Sequence, residues 1–378
     1  MRPTMSDFAN SNEDVDAKKL GPPETPQSFS PDDALPEVKP PTSKFLMQLF
    51  IAPLLIVLGA VSFVLIPQFL AGWHGDPRTY VEELQRPSDT AWQSAWNLAE
   101  ALHDRRNEEL KNDPAFAAQL SHLLDEQLTD SGKLGEKDIW LRSFLCRAIG
   151  TLKTPEGLPT LLQAANQDAT PEDQQVRLAA VEALAEAIDN LGAAGLRDDP
   201  QIWETLQAAS TARSDSALPF PQRYEDQLRS RACFALGVLG GDRANDRLAE
   251  LTSDSFSDVR YNAATGLARQ GDLRATPMLL EMLDPNVLPE KELVAPADIL
   301  DTISPDDLQI RQRVQQASTM NNAIRAIVIL AHENPQLDRA PVIKQLEALL
   351  KSEIPLQLRD VASEAKLVLE EPTDSLMQ

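Results

Sequence analysis

Two cysteines, four histidines and three tyrosines are all that 378 residues supply of those types, and aromatic side chains make up 5% of the chain. Two cysteines exclude a disulfide framework. The histidines, His74, His103, His122 and His332, fall in no HExxH or other metal-ligand spacing. A Gly-rich phosphate loop, a G-x-S-x-G elbow and a basic-aromatic stripe are absent too. Strand signals are equally scarce: no sustained period-two alternation, and no Asn-Gly or Asp-Gly hairpin turn. Positive charge is in short supply, with 35 Lys and Arg against 58 Asp and Glu and a net charge of −23. That sign is wrong for a phosphate backbone, so no nucleic-acid partner is expected. No polybasic run flanks the apolar stretch described next, so electrostatic docking on anionic lipid is not expected either. The acidity favours solubility and could attract a basic partner.

Charge of either sign is missing from residues 45–73, a run limited by Phe45 and Trp73. Its densest part, residues 49–66, holds thirteen Leu, Ile, Phe or Val side chains. As a helix that part would rise roughly 27 Å, against a hydrocarbon core of about 30 Å. Those side chains favour insertion by about −4 to −8 kcal/mol before penalties. The run is too long for a signal peptide, a tail precedes it and no A-x-A site follows. A single transmembrane helix is therefore predicted, making the chain a single-pass membrane protein that touches the bilayer through that helix. Lys39 and Lys44 on one side balance Arg78 and Arg86 on the other, so the positive-inside comparison is a tie. The short tail without a signal peptide favours a cytoplasmic N-terminus and an extracytoplasmic remainder. The lack of disulfides leans the other way.

Residues 1–44 are polar, acidic and Pro-rich, and predict a disordered tail. A stem follows at 74–88. Helix starts of the cap-then-proline kind recur at Asp76-Pro77, Asp113-Pro114, Thr154-Pro155, Thr170-Pro171, Asp199-Pro200 and Ser304-Pro305. Long Ala/Leu/Glu/Gln-rich runs between them describe a chain of helices.

Four segments repeat in register: LRSFLCRAIG (141–150), VRLAAVEALA (176–185), LRSRACFALG (228–237) and VRYNAATGLA (259–268). Each opens with an aliphatic residue and an arginine. Six positions later stands a small residue, Ala148, Ala183, Ala235 or Gly266, then an aliphatic one. Weaker copies place Met320 and Arg359 in the arginine slot, with Ala326 and Ala365 in the small slot. The arginine slots are thus Arg142, Arg177, Arg229, Arg260 and Arg359. A helix pair of this kind cannot cover its own apolar face, so pairs stack and bury a continuous core. The slot arginines are expected to reach acids at helix starts; Glu136, Asp254 and Glu353 each lie six residues before one. Cys146 and Cys233 share one position of the repeat with Val181 and Ala264, which marks them as small core residues.

The pattern (L/V)-R-x-x-A-x-x-A-L-G, followed by runs such as GDLRATPMLLEML (271–283), resembles the HEAT-repeat family, including bacterial forms similar to phycobilisome-lyase-type repeats. The expected fold class is all-α: an α-solenoid of about six HEAT-like helix pairs plus capping helices, preceded by one transmembrane helix and a disordered tail. Residues 137–370 are expected to form the array, residues 89–136 an N-terminal helical cap with Trp92 and Trp96 on one face, and residues 371–378 a flexible C-terminus. Lys366 breaks the apolar column and marks the last helix as a cap. Two insertions, residues 213–222 and 284–304, interrupt the spacing; the second contains the apolar run LVAPADIL.

The resemblance implies a membrane-anchored scaffold or adaptor that binds other proteins through its solenoid surface. An alternative it implies is lyase- or chaperone-like activity on a prosthetic group or its carrier. HEAT-type proteins include a di-iron hydroxylase family that takes ligands from several His-Glu pairs. Here there is one such pair, His332-Glu333, so the ligand count fails. Asp242, Asp246, Asp254 and Asp258 match no calcium-loop spacing. The expectation is therefore of no metal, no cofactor and no enzyme.

Overall fold

The computed structural model describes residues 54, 57–58, 76–129, 135–167, 170, 173–211, 222–287 and 303–371. Contacts divide the chain into two units, residues 1–72 and 73–378. In the first, only Leu54, Val57 and Leu58 are described; all three are helical and more than half exposed.

In the second unit the described elements are helices, with no strand among the described residues. They are α1 (Pro77–Leu84), α2 (Ala91–His103), α3 (Glu108–Lys111), α4 (Pro114–Thr129), α5 (Glu136–Gly150), α6 (Leu158–Asn166), α7 (Asp173–Leu191) and α8 (Pro200–Ala209). After these come α9 (Gln222–Leu239), α10 (Asp242–Leu251), α11 (Ser257–Arg269), α12 (Thr276–Met282), α13 (Pro305–Glu333), α14 (Arg339–Lys351) and α15 (Leu356–Glu370). The cap-then-proline starts open helices as the sequence predicts. Asp76 accepts from the Arg78 N–H, Asp113 from Ala115 and Phe116, Asp199 from Gln201 and Ile202, and Ser304 Oγ from Asp307. Each satisfies amides that the first helical turn leaves without an internal partner. Thr154 makes no such bond, and the turn it precedes is 3₁₀.

The helices form two rows. In one, α2, α5, α7, α9, α11, α13 and α15 each pack against the next. In the other, α4, α6, α8, α10, α12 and α14 each pack on the first-row helix that follows them in the chain. A continuous core of Leu, Ile, Val and Ala runs between the rows. Every slot residue falls on the first row. The repeat motif is therefore the long helix of each pair, and the apolar run after it is the short one.

Two inter-repeat contacts explain the small residues. A Cβ on Gly150 would lie 2.9 Å from Cα of Ala183, and one on Gly237 would lie 2.6 Å from Cα of Gly266. In both cases the glycine closing one repeat motif meets the small slot of the next. The first-row helices approach almost backbone to backbone there, which no larger residue permits.

The membrane reading is corrected. Among the described residues no helix is long and apolar enough to cross a membrane. Apart from Leu54, Val57 and Leu58, the run limited by Phe45 and Trp73 lies outside the described residues, as do the tail at 1–44, residues 372–378 and most of both insertions. Spanning requires a continuous apolar helix of about 20 residues, and none is described. The transmembrane helix, the single-pass localisation with its topology, and the bilayer contact are withdrawn.

Candidate partner-binding face

The slot arginines turn out to serve the join between rows. Arg177 is buried at 4% exposure and its Nε donates to the Ala165 carbonyl in the last turn of α6. Arg260 donates to the Asp254 and Ser255 carbonyls just past α10, and Arg359 to the Ser352 carbonyl that ends α14. A helix C-terminus leaves carbonyls without internal partners and carries partial negative charge, so a guanidinium answers both needs. Arg142 is buried at 3%.

Arg229 departs from this pattern. It lies at 2% exposure and donates to both carboxylate oxygens of Asp254, at 2.9 and 3.0 Å, and to Asp226 at 2.9 Å. Burial pushes the Asp254 carboxyl up, but the hydrogen bond from Arg229, the Phe256 N–H and the charges of Arg229 and Arg260 outweigh it and hold it below its usual range. Burial likewise works against the Arg229 charge, and the two aspartates overcome it. Asp254 lies six residues before Arg260, but its carboxylate serves the arginine of the preceding repeat. Slot-arginine ion pairs to Glu136 and Glu353 do not feature among the described residues, and Arg260 instead reaches the Glu281 carboxylate at 3.4 Å.

The other acids singled out in the sequence disperse. Asp246 pairs with Arg274 at 2.9 Å and Asp258 accepts from Ser230 Oγ at 2.9 Å. His332 and Glu333 meet at 3.1 Å on the exposed end of α13. Lys366 lies against Glu347 and Glu370 at 3.3 and 2.9 Å. Among the described residues no group of three or more His, Cys, Asp and Glu is placed to hold a metal ion. Cys146 and Cys233 are buried and unbridged.

What the first row leaves outward is a face with two grooves. One, of about 330 Å³, lies across α5, α7 and α9 and is lined by Trp140, Phe144, Arg147, Leu178, Glu182 and Arg231. Trp140 is held edge-on by Trp92, ring centroids 5.0 Å apart, and Arg147 lies 5.5 Å over Phe144. Arg231 reaches Glu182 at 3.4 Å. On the same face of α7, burial raises the Glu186 carboxyl; the charges of His103 and Lys111 oppose the rise, and Glu182 and Asp189 add to it. The second groove, of about 350 Å³, crosses α9, α11 and α13. Phe234 and Ile329 line it while 44% and 41% exposed, with Arg269 5.4 Å over the Phe234 ring and Arg325, Asn262 and Asn322 alongside. Arg231 and Phe234, three apart on α9, place both grooves on one face.

None of these groove residues was singled out in the sequence, although a signal was there. Counted from the slot, the outward positions are two, five and nine places on: Phe144 and Arg147 in α5, Glu182 and Glu186 in α7, Arg231 and Phe234 in α9, Asn262 and Arg269 in α11, Arg325 and Ile329 in α13. At these positions the copies agree in neither size nor polarity, as is also true of the position directly after the slot, Ser143, Leu178, Ser230 and Tyr261.

The fold and this face define a helical-repeat protein. Residues 222–292, spanning α9 to α12, match the family model described as HEAT repeats, and two slot arginines, Arg229 and Arg260, fall inside the match. Among curated proteins none matches the sequence. Among solved structures, the chain is similar to YibA of Escherichia coli at 15% identity, with 76% of this chain and 98% of that one covered and a TM-score of 0.31. It is also similar to human deoxyhypusine hydroxylase, solved with glycerol, at 16% identity, with 80% and 99% covered and a TM-score of 0.26. The second of these is an enzyme by name, which corrects the expectation of a non-enzyme: a helical-repeat fold and the lack of a familiar motif do not exclude catalysis. At these TM-scores neither likeness assigns an activity or a partner to this chain.

Proposed function

We propose that the chain is a helical-repeat scaffold that holds another protein on the outward face of the α5–α7–α9–α11–α13 row. The observation that carries this reading is the pair of large apolar side chains, Phe234 and Ile329, left two-fifths exposed in one groove on a face that also presents Trp140 and Phe144. Apolar side chains clustered in a concave surface and framed by polar ones are what a protein interface requires. On this reading residues 137–370 form the array, residues 89–136 cap it, and the slot arginines Arg142, Arg177, Arg229, Arg260 and Arg359 serve the fold instead of the partner.

The test is site-specific photocrosslinking in the source cell. A photoreactive phenylalanine analogue at Ile329 is expected to give a discrete adduct, and Phe234→Asp in the same chain is expected to abolish it. The same analogue at Gln201, exposed on α8 in the other row, is expected to give none. An adduct at Gln201 as strong as that at Ile329, or none at Ile329, overturns the reading.

A further inference from the structure

The α9–α11–α13 groove has an electrostatic character opposite to that of the chain. With 58 acidic against 35 basic residues, many arginines elsewhere in the array are matched: Arg229, Arg231, Arg247, Arg260 and Arg274 meet carboxylates, and Arg177, Arg197, Arg339 and Arg359 meet main-chain carbonyls, whereas Arg147 and Arg243 lie over aromatic rings. Arg269 and Arg325 line the groove, and neither meets a carboxylate among the described residues. The carboxylate that shares the groove, Asp258, already accepts from Ser230 Oγ. The Arg269 guanidinium carbon lies 5.4 Å from the Phe234 ring centroid, within cation–π reach.

Resting on the partner-binding reading above, we infer that this groove takes an acidic protein segment, with an apolar side chain seated between Phe234 and Ile329 and carboxylates meeting Arg269 and Arg325. A volume of about 350 Å³ suits one or two side chains of such a segment. The net charge of −23 repels an acidic partner at long range. That repulsion is screened beyond about 8–10 Å at physiological salt, and the contact is then decided by the two arginines.

The test uses the full-length chain and labelled amphipathic peptides read by fluorescence anisotropy. One peptide carries leucine on one face and glutamate on the other; a matched peptide has glutamine in place of glutamate. The chain's overall charge works against the glutamate peptide, so preference for it can only come from a local basic site. The expected result is binding of the glutamate peptide on the order of tenfold tighter than the glutamine peptide. Arg269→Gln with Arg325→Gln is expected to erase that preference while leaving the unfolding midpoint unchanged, and Phe234→Ala is expected to weaken both peptides. Equal binding of the two peptides, lost in Phe234→Ala, overturns the acidic assignment and leaves the partner-binding face standing. Binding of neither peptide also overturns it, and the photocrosslinking experiment then judges the face separately. A phosphoserine version that binds more tightly still, even with its leucines changed to serine, would show a phosphate site and overturn the assignment.

Discussion

Gly237→Ala is a single-methyl change whose sign the packing decides. Taken alone, the α9 helix gains from it, since alanine is favoured over glycine inside a helix by up to about 1 kcal/mol. Against this stands the 2.6 Å separation between the new Cβ and Cα of Gly266. The obstructing atom is backbone, so no side chain can swing aside, and α9 and α11 have to part along a buried interface. Overpacking of this kind costs about 1–3 kcal/mol. The net expectation is a loss of up to about 2 kcal/mol, after subtracting the propensity gain. The assay is urea unfolding followed by far-ultraviolet circular dichroism, with amide hydrogen exchange to locate the loss at α9 and α11, because repeat arrays need not unfold in one step. Gly195→Ala is the control, since a Cβ there meets nothing within 4 Å; it is expected to be neutral or to stabilise by up to about 1 kcal/mol. A Gly237→Ala chain more stable than the parent by the full propensity gain would refute the close-approach account of the small slots.

Asp254→Asn removes a carboxylate from the buried Arg229 and is expected to cost about 3 kcal/mol, the low end for a broken buried pair, because Asp226 remains. Asp254 has a lowered folded pKa, so its contribution is fully present above the ordinary carboxylate range and disappears as pH falls through the folded value. Acid unfolding of the parent should therefore be steeper than that of the Asn variant, and parallel curves would count against the pairing. Arg177→Met leaves the Ala165 carbonyl buried without its donor and is expected to lower stability by about 1–3 kcal/mol; an unchanged urea midpoint would contradict the capping role. Burial raises the Cys146 thiol to about 12 and pushes Cys233 higher still. Both should resist iodoacetamide in the native chain and react once it is denatured; prompt alkylation of the native chain would show that the core opens.

The repeat was readable in the sequence because burial imposes the same demand at the same position each time. Ala183 and Gly266 are small because the glycine closing the preceding motif meets each of them there, and the proline-led starts are local chemistry that needs no tertiary context. The destination of the slot arginines was not readable. Asp254 is placed by sequence to serve Arg260 yet serves Arg229, because the nearer partner in space belongs to the preceding repeat. The groove was missed for a related reason. Phe234, Arg269 and Ile329 occupy positions where the copies disagree, and only stacking of three repeats brings them into one concavity. The apolar run at 45–73 was legible as composition alone, and all of it but Leu54, Val57 and Leu58 lies outside the described residues.

The glycine contacts also bear on how the array yields under load. At Gly237/Gly266 main chain rests on main chain, and at Gly150/Ala183 only a methyl group that cannot re-rotamerise stands beside it. Those junctions behave as rigid couplings. Between α11 and α13, as between α13 and α15, the packing is less extensive than earlier in the row, and at the former it is partly given over to the groove. A segment seated across Phe234, Arg269 and Ile329 would bridge that less closely packed junction and act as a splint. Occupancy could then register as stiffness along the whole row without moving any helix out of place.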